Sequence, residues 1–183
     1  MRIIGGAARG LHLTPIGTGD SAAHLRPTSD RVREAIFNLL INGGYGNPVQ
    51  GANVLDVFAG TGALGLEALS RGAATATFLE NGAVSAKILA KNIALMRAED
   101  RCTLLRQDAM RGGVTGPFDL IFLDPPYGKQ MGEAALTALL PCFAQGALIV
   151  WEENAPPQPP VGFAKLDQRK YGDTVVTICQ VGG

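Results

Sequence analysis

The chain has 183 residues, 46% of them hydrophobic, with 16 basic and 16 acidic side chains and a formal net charge of zero. That length supports one sizeable core, with one domain as the default, and the balanced charge gives no global electrostatic case for nucleic acid, so any basic surface must be local. No apolar run approaches the roughly 20 residues of a membrane span; the start, Met1-Arg2-Ile3-Ile4-Gly5-Gly6, lacks the apolar centre of a signal peptide, and a cytoplasmic protein is expected.

In chain order, Arg2-Ile3-Ile4 and Leu11-His12-Leu13 read as two short strands around the turn-rich Gly5–Gly10, a possible hairpin. Ile16 to Ala23 is small and polar and is expected to be mobile. Leu25-Arg26-Pro27-Thr28-Ser29-Asp30 then offers several N-cap oxygens to a helix whose Val32, Ala35, Ile36, Leu39 and Leu40 repeat at helical spacing. Through residue 45 five arginines (2, 9, 26, 31, 33) stand against three acids (20, 30, 34). A solvated helix face accounts for Arg31 and Arg33, with RNA contact as the alternative.

Beyond a Gly/Asn/Pro loop, Asn53 to Phe58 reads as a strand running into the glycine-rich Ala59 to Gly65, with a helix following through Leu66, Leu69 and Ser70 and stopping at Gly72. Thr75–Leu79 is the next strand, ending at Glu80. A long helix carries Val84, Ile88, Ile93 and Met96, and Cys102–Arg106 makes a third strand before Asp108. A fourth apolar run, Leu120–Leu123, stops at Asp124-Pro125-Pro126, because neither proline can donate to a ladder. Gly132 to Phe143 reads as helical, Ala147–Trp151 as a fifth strand, Ala155–Pro160 as a connector, and Phe163–Arg169 with Thr174–Gln180 as a closing hairpin. Strands alternating with helices imply an α/β fold: a mainly parallel seven-stranded sheet with helices on both faces, closed by an antiparallel hairpin.

Two features carry chemistry. Gly60-x-Gly62-x-x-Gly65 satisfies a dinucleotide fingerprint with Glu80 about 20 residues on, which taken alone suggests NAD and an oxidoreductase. However, Asp56, Glu80, Asp124 and Asp108 all fall at the carboxyl ends of consecutive strands, where folding gathers them at one sheet edge. Four acids suit a cationic ligand with ribose and amino groups, and repel a pyrophosphate. The second feature is Asp124-Pro125-Pro126-Tyr127: a residue before proline is held extended, so the Asp124 carboxylate and the Pro125 carbonyl form a fixed acceptor pair for an exocyclic amino group on a base lying against Tyr127. Cys102, Cys142 and Cys179 are far apart, without Cys-x-x-Cys, and His12 and His24 have no cluster beside them, so buried thiols and no metal site are expected.

These blocks resemble the class I S-adenosylmethionine-dependent methyltransferases, and specifically the bacterial 16S rRNA guanine-N2 methyltransferase family. The likeness runs through Arg2–Gly6 with Arg9-Gly10, Arg26-Pro27-Thr28-x-Asp30 to Glu34, Phe58 to Gly72, and Asp124–Tyr127, covering most of the chain. It implies a Rossmann-like methyltransferase domain over residues 25–183 preceded by a hairpin extension over 1–24. It implies that Asp56 and the Phe58, Ala59, Gly60, Gly62 loop hold the methionine end of S-adenosylmethionine, that Glu80 accepts the ribose hydroxyls, and that Asp108 meets the adenine amino group beside Ala109. Asn81 is implied as a further cofactor-binding residue; the family usually carries an acid or other polar side chain after the ribose-binding acid, where Asn81-Gly82 stand here. Asp124, Pro125, Pro126 and Tyr127 serve as the catalytic turn, and Arg2, Arg9, Arg26 and Thr28 as contacts to RNA or to the methionine end.

The function implied is methylation of the N2 amino group of a guanine in 16S rRNA (guanine 966 type), in the 30S subunit or an assembly intermediate, by an expected monomer. The alternatives are an adenine-N6 methyltransferase acting on DNA or RNA, an NAD-dependent oxidoreductase, and a non-catalytic RNA-binding module on the same fold.

Overall fold

The computed structural model describes residues 1–16 and 28–182. The small polar stretch after Ile16, His24, and the Leu25–Pro27 part of the helix-leading corner with Arg26 lie outside the described residues. The described residues form seven strands and four α-helices: α1 (Asp30–Asn42), β1 (Asn53–Val57), α2 (Ala63–Ser70), β2 (Thr75–Leu79), α3 (Ala83–Leu95), β3 (Cys102–Leu105), β4 (Phe118–Leu123), α4 (Met131–Leu139), β5 (Phe143–Glu153), β6 (Phe163–Tyr171) and β7 (Thr174–Val181). None of these helices is long and apolar enough to cross a membrane.

One sheet runs in the order β3-β2-β1-β4-β5-β7-β6. Strands β1 to β5 pair in parallel, β7 joins β5 antiparallel, and β6 lies outermost on β7 with a register shift between Lys165 and Asp167. The expected architecture is therefore present. The strand order reverses between β1 and β4, and ligands of open α/β sheets bind at the carboxyl ends of the strands flanking that point. The central strands are buried on both faces and read as continuous apolar runs for that reason.

Alternate residues of each strand supply two cores. Val54, Phe78 and Phe122 meet Phe37, Leu66 and Leu89 from α1, α2 and α3, while Leu55, Ile121 and Trp151 meet Leu136 and Leu139 from α4. Ser29 caps α1, accepting from the Val32 N–H at 3.2 Å. Trp151 is fully buried, and a Cβ on Gly132 of α4 would intrude on its indole ring. Alanine normally gains about 1 kcal/mol over glycine in a helix. Overpacking costs about 1–3 kcal/mol, so Gly132→Ala is expected to lower the urea midpoint. A raised midpoint would show that α4 can slide away from the ring.

Three local expectations need correction. The helix expected through Phe143 ends at Leu139, because Pro141 leaves only a 3₁₀ turn over Leu140–Cys142. Strand β5 is accordingly eleven residues, more than twice the expected core of Ala147–Trp151. Arg33 does not lie on a solvated face: it is fully buried, while Arg31 is exposed as expected. Cys142 and Cys179 are buried and Cys102 half-buried, all free thiols.

The amino-terminal segment pairs through one bridge, Arg2 with His12, rather than two strands. The Ile3 N–H donates to Leu11 O and the Gly10 N–H to Ile3 O. The segment is held to the sheet-covering helices: Ile3 is wholly buried, the Ile4 and Gly5 amides both donate to Glu67 of α2 at 2.8 Å, and the Asn92 amide of α3 binds both the Thr14 backbone and Thr61 O.

Candidate active site

At the end of β1, Asp56 is almost fully buried and its Oδ2 accepts the Gly65 N–H of α2 at 2.8 Å. That bond fixes how the helix starts over the strand. A side chain at Gly65 would collide with the Phe78 ring, which is why the approach is this close. Between them the chain turns through Phe58, whose φ of 61° is uncommon for a bulky residue and marks a strained position at a ligand loop. Gly60 also has a positive φ, and a Cβ there would meet nothing, so its face is open.

Glu80, after β2, ties this loop from the neighbouring strand. Its Oε2 accepts the Gly60 N–H and its Oε1 the Gly82 N–H, each at 2.7 Å. A carboxylate has about four acceptor sites, so two remain for a ligand. Glu80, Asn81 and Ala109 line one cleft of about 240 Å³, with Phe58, Gln107 and Pro126. Asp108 does not line it; its carboxylate turns back to cap the 3₁₀ turn over Ala109–Arg111, accepting the Met110 N–H at 2.9 Å. Gln107, which sequence reasoning passed over, faces the cleft instead.

Phe58 also borders a second cleft with Asp56, Ala59, Gly60, Thr28 and Asp124. Thr28 borders in turn a third cavity, of about 430 Å³, with Tyr127, Glu152, Tyr171 and Thr174. The Asp124 turn thus stands where the second and third depressions meet. The Thr28 hydroxyl lies 2.9 Å from Glu152 Oε2 and 3.3 Å from Asp124 Oδ2, and the Tyr127 hydroxyl donates to Glu152 Oε1 at 3.3 Å.

Sequence reasoning missed Glu152. It sits on β5 one residue beyond Trp151, the partner of Leu123 on β4, so it is the neighbour of Asp124 across the sheet. The signal was present: an acid at the carboxyl end of a fifth strand, the same rule that located the other acids.

Arg2 and Arg9 lie elsewhere, exposed along a groove of about 370 Å³ with Arg71, Glu34 and Asn38 that shares no lining residue with the three depressions. Arg2 is 3.7 Å from Asp30.

The edge is acidic and lacks counter-charge: among the described residues, none of Asp56, Glu80, Asp124 or Glu152 takes part in an ion pair. Burial raises the Asp56 carboxyl to about 8, with Glu80 adding to it against the Gly65 amide. Burial likewise raises Glu80, opposed by the Gly82 and Gly60 amides. Asp124 is raised by burial, then by Glu152 and Asp56; Glu152 is raised by burial against the Thr28 and Tyr127 hydroxyls.

Each of these carboxyls binds its proton more tightly in the fold than in the unfolded chain. The contribution of Asp56 to stability is fully present below the ordinary carboxylate range, near pH 4, and is lost as pH rises through about 8. Melting temperature is therefore expected to fall across that window, and Asp56→Asn to flatten the slope; an unchanged slope in the variant would remove Asp56 as the cause.

A buried acidic edge with open backbone at Gly60 fits a cationic ligand that donates hydrogen bonds, and disfavours a pyrophosphate. Comparison with known proteins gives the family. The model of the family described as conserved hypothetical protein 95 matches residues 1–180. The chain is 36% identical over 188 residues to ribosomal RNA small subunit methyltransferase D of Escherichia coli K12, covering 98% of this chain and 89% of that protein. It is 38% identical over 144 residues to the protein of the same name from Haemophilus influenzae, covering 76% and 70%. Among solved structures, one described as putative methyltransferase yhhF from Escherichia coli superposes with a TM-score of 0.79 at 34% identity, covering 100% of this chain and 98% of that one. With the family model matching nearly the whole chain, this chain belongs to the conserved hypothetical protein 95 family, and its relatives include ribosomal RNA small subunit methyltransferase D.

Proposed function

We propose that this protein catalyses S-adenosylmethionine-dependent methylation of the N2 amino group of a guanine in 16S rRNA, of the guanine 966 type, within the small subunit or its assembly intermediate. The observation that carries the reading is the position of Asp124-Pro125-Pro126-Tyr127, at the seam between a donor cleft floored by Asp56 and Phe58–Gly60 and a cavity beside Tyr127 large enough for one purine.

The cofactor, when bound, supplies a methyl group already activated on a sulfonium. Asp56 and the Phe58–Gly62 loop hold its methionine end, the two free acceptor sites of Glu80 take the ribose hydroxyls, and Asn81, Gln107 and Ala109 border the adenine side. Burial without a counter-charge raises the Asp56 and Glu80 pKa values, and a bound cation would supply that counter-charge and favour the ionised carboxylates.

Asp124 accepts an amino hydrogen of the target base, and the Pro125 carbonyl, fixed by the extended geometry before a second proline, takes the other. Together they point the nitrogen lone pair at the methyl and stabilise the positive charge that develops there. Asp124 then takes the proton. Tyr127, anchored by its hydroxyl on Glu152, presents its ring to the base, a stacking contact of about 1–3 kcal/mol. Arg2 and Arg9, in the amino-terminal extension of residues 1–24, contact RNA phosphate together with Arg26 at the start of the methyltransferase domain of 25–183.

Radiolabelled S-adenosylmethionine supplied with 30S particles, free 16S rRNA and DNA, all lacking the modification, tests the reading. N2-methylguanosine in the ribosomal substrate is the expected product. Methyladenine would overturn the guanine assignment, and binding of NAD(H) with no response to S-adenosylmethionine would overturn the cofactor.

A further inference from the structure

Resting on the guanine-N2 reading, we propose that Glu152 is the residue that selects guanine: its carboxylate accepts the base N1–H while Asp124 accepts the adjacent amino hydrogen. The two acids occupy neighbouring positions at the ends of β4 and β5. Adjacent strands lie about 4.8 Å apart, so two carboxylates side by side match two donors side by side. On guanine the amino group and N1–H are neighbouring donors. On adenine the amino group neighbours N1, an acceptor, whose lone pair would face a carboxylate in a site with little water.

Glu152 is only 3% exposed, yet it borders the cavity shared with Tyr127, Tyr171 and Thr174. Its orientation is fixed from both sides. The Tyr127 hydroxyl holds Oε1, and the single Thr28 hydroxyl proton is taken by Oε2, the nearer of the two acids it touches. Two of its four acceptor sites are thus filled and two remain. Discrimination is strong in such a place because a wrong base leaves a buried polar group facing its like rather than its partner. Asp124 alone cannot make this distinction, since both purines offer it an amino hydrogen.

The test uses small-subunit particles rebuilt with guanine or 2-aminopurine at the target nucleotide. 2-Aminopurine keeps the amino group and has an unprotonated N1. The wild-type protein is expected to favour guanine by roughly 100-fold in kcat/KM, within the range of one good paired contact to a base edge. Glu152→Gln, whose amide can donate to an unprotonated N1, is expected to bring that ratio below about 10-fold, with cofactor binding unchanged. Equal wild-type rates on both bases would overturn the proposal without any variant. So would a Glu152→Gln protein that loses both activities in the same proportion, which is the mark of a merely structural role. A wild-type protein that binds cofactor and methylates no guanine particle would instead sink the underlying guanine reading.

Discussion

Replacing Asp124 by alanine is expected to lower methyl transfer by about 10²–10³-fold, the scale for removing one preorganised group aimed at developing charge, while the cofactor dissociation constant changes little. Asp124 is held between two depressions, with the Thr28 hydroxyl oxygen 3.3 Å from its Oδ2 and Glu152 beside it. It makes no hydrogen bond to the glycine-rich loop, which is organised by Asp56 and Glu80. The loss should therefore appear in turnover. Removing one negative charge also eases the repulsion on Glu152 and Asp56, so the variant is expected to be at least as stable as the parent above pH 7. Single-turnover transfer and cofactor titration on the same preparation separate the outcomes. A variant that loses cofactor binding in step with activity would place Asp124 in the donor cleft alone.

The second large effect concerns Glu67, which touches none of the three depressions. Its carboxylate is wholly buried and accepts the Ile4 N–H on one oxygen, the Gly5 N–H and the Arg71 Nε on the other, with Arg33 Nε 3.9 Å away. Arg33 is fully buried too, and its Nε and Nη1 have no hydrogen-bond partner. Burial lowers the Arg33 pKa against the pull of Glu67 and Asp30. Deleting the Glu67 carboxylate leaves Arg71 Nε and two amides without their acceptor and the buried Arg33 with Asp30 alone as its counter-charge, a change worth about 3–5 kcal/mol. In a domain of this size that corresponds to a drop in melting temperature on the order of 10 °C. Glu67→Ala should also expose the amino-terminal segment to trypsin at Arg9, since Glu67 and Ser70 are its anchors on α2. A loss below about 1 kcal/mol would mean that the arginines relax to solvent.

Much of this architecture was legible because the chemistry is punctuated by backbone constraints. Pro125 and Pro126 stop β4 after Leu123, and Gly60, Gly62 and Gly65 mark a turn no other residues would make so tightly. The acids followed from one rule about strand ends. The same rule reaches Glu152, one residue past the expected end of the fifth strand at Trp151 just as Glu80 and Asp124 follow Leu79 and Leu123, but only the first four strands were read with it. Asp108 met the rule in sequence, but its carboxylate found a nearer donor in the Met110 N–H, and local capping won. Arg33 shows the opposite limit: helical periodicity assigns a charged residue to solvent, and the local Asp30 pair holds the guanidinium in the core only with the added help of the distant Arg2 carbonyl and Glu67. Pairing partners more than 30 residues away leave no local trace.

The outermost strands carry a last consequence. A sheet of this width ends in two rows of unpaired amides and carbonyls, each a template on which another chain could add a strand. At one end β3 offers four residues. At the other, β6 is longer but presents Lys165, Arg169 and Lys170 to solvent and shifts register between Lys165 and Asp167. Charge and a local kink are what keep such an edge from recruiting neighbours. The strand that completes the sheet thereby also discourages a neighbouring chain from adding a strand at that edge.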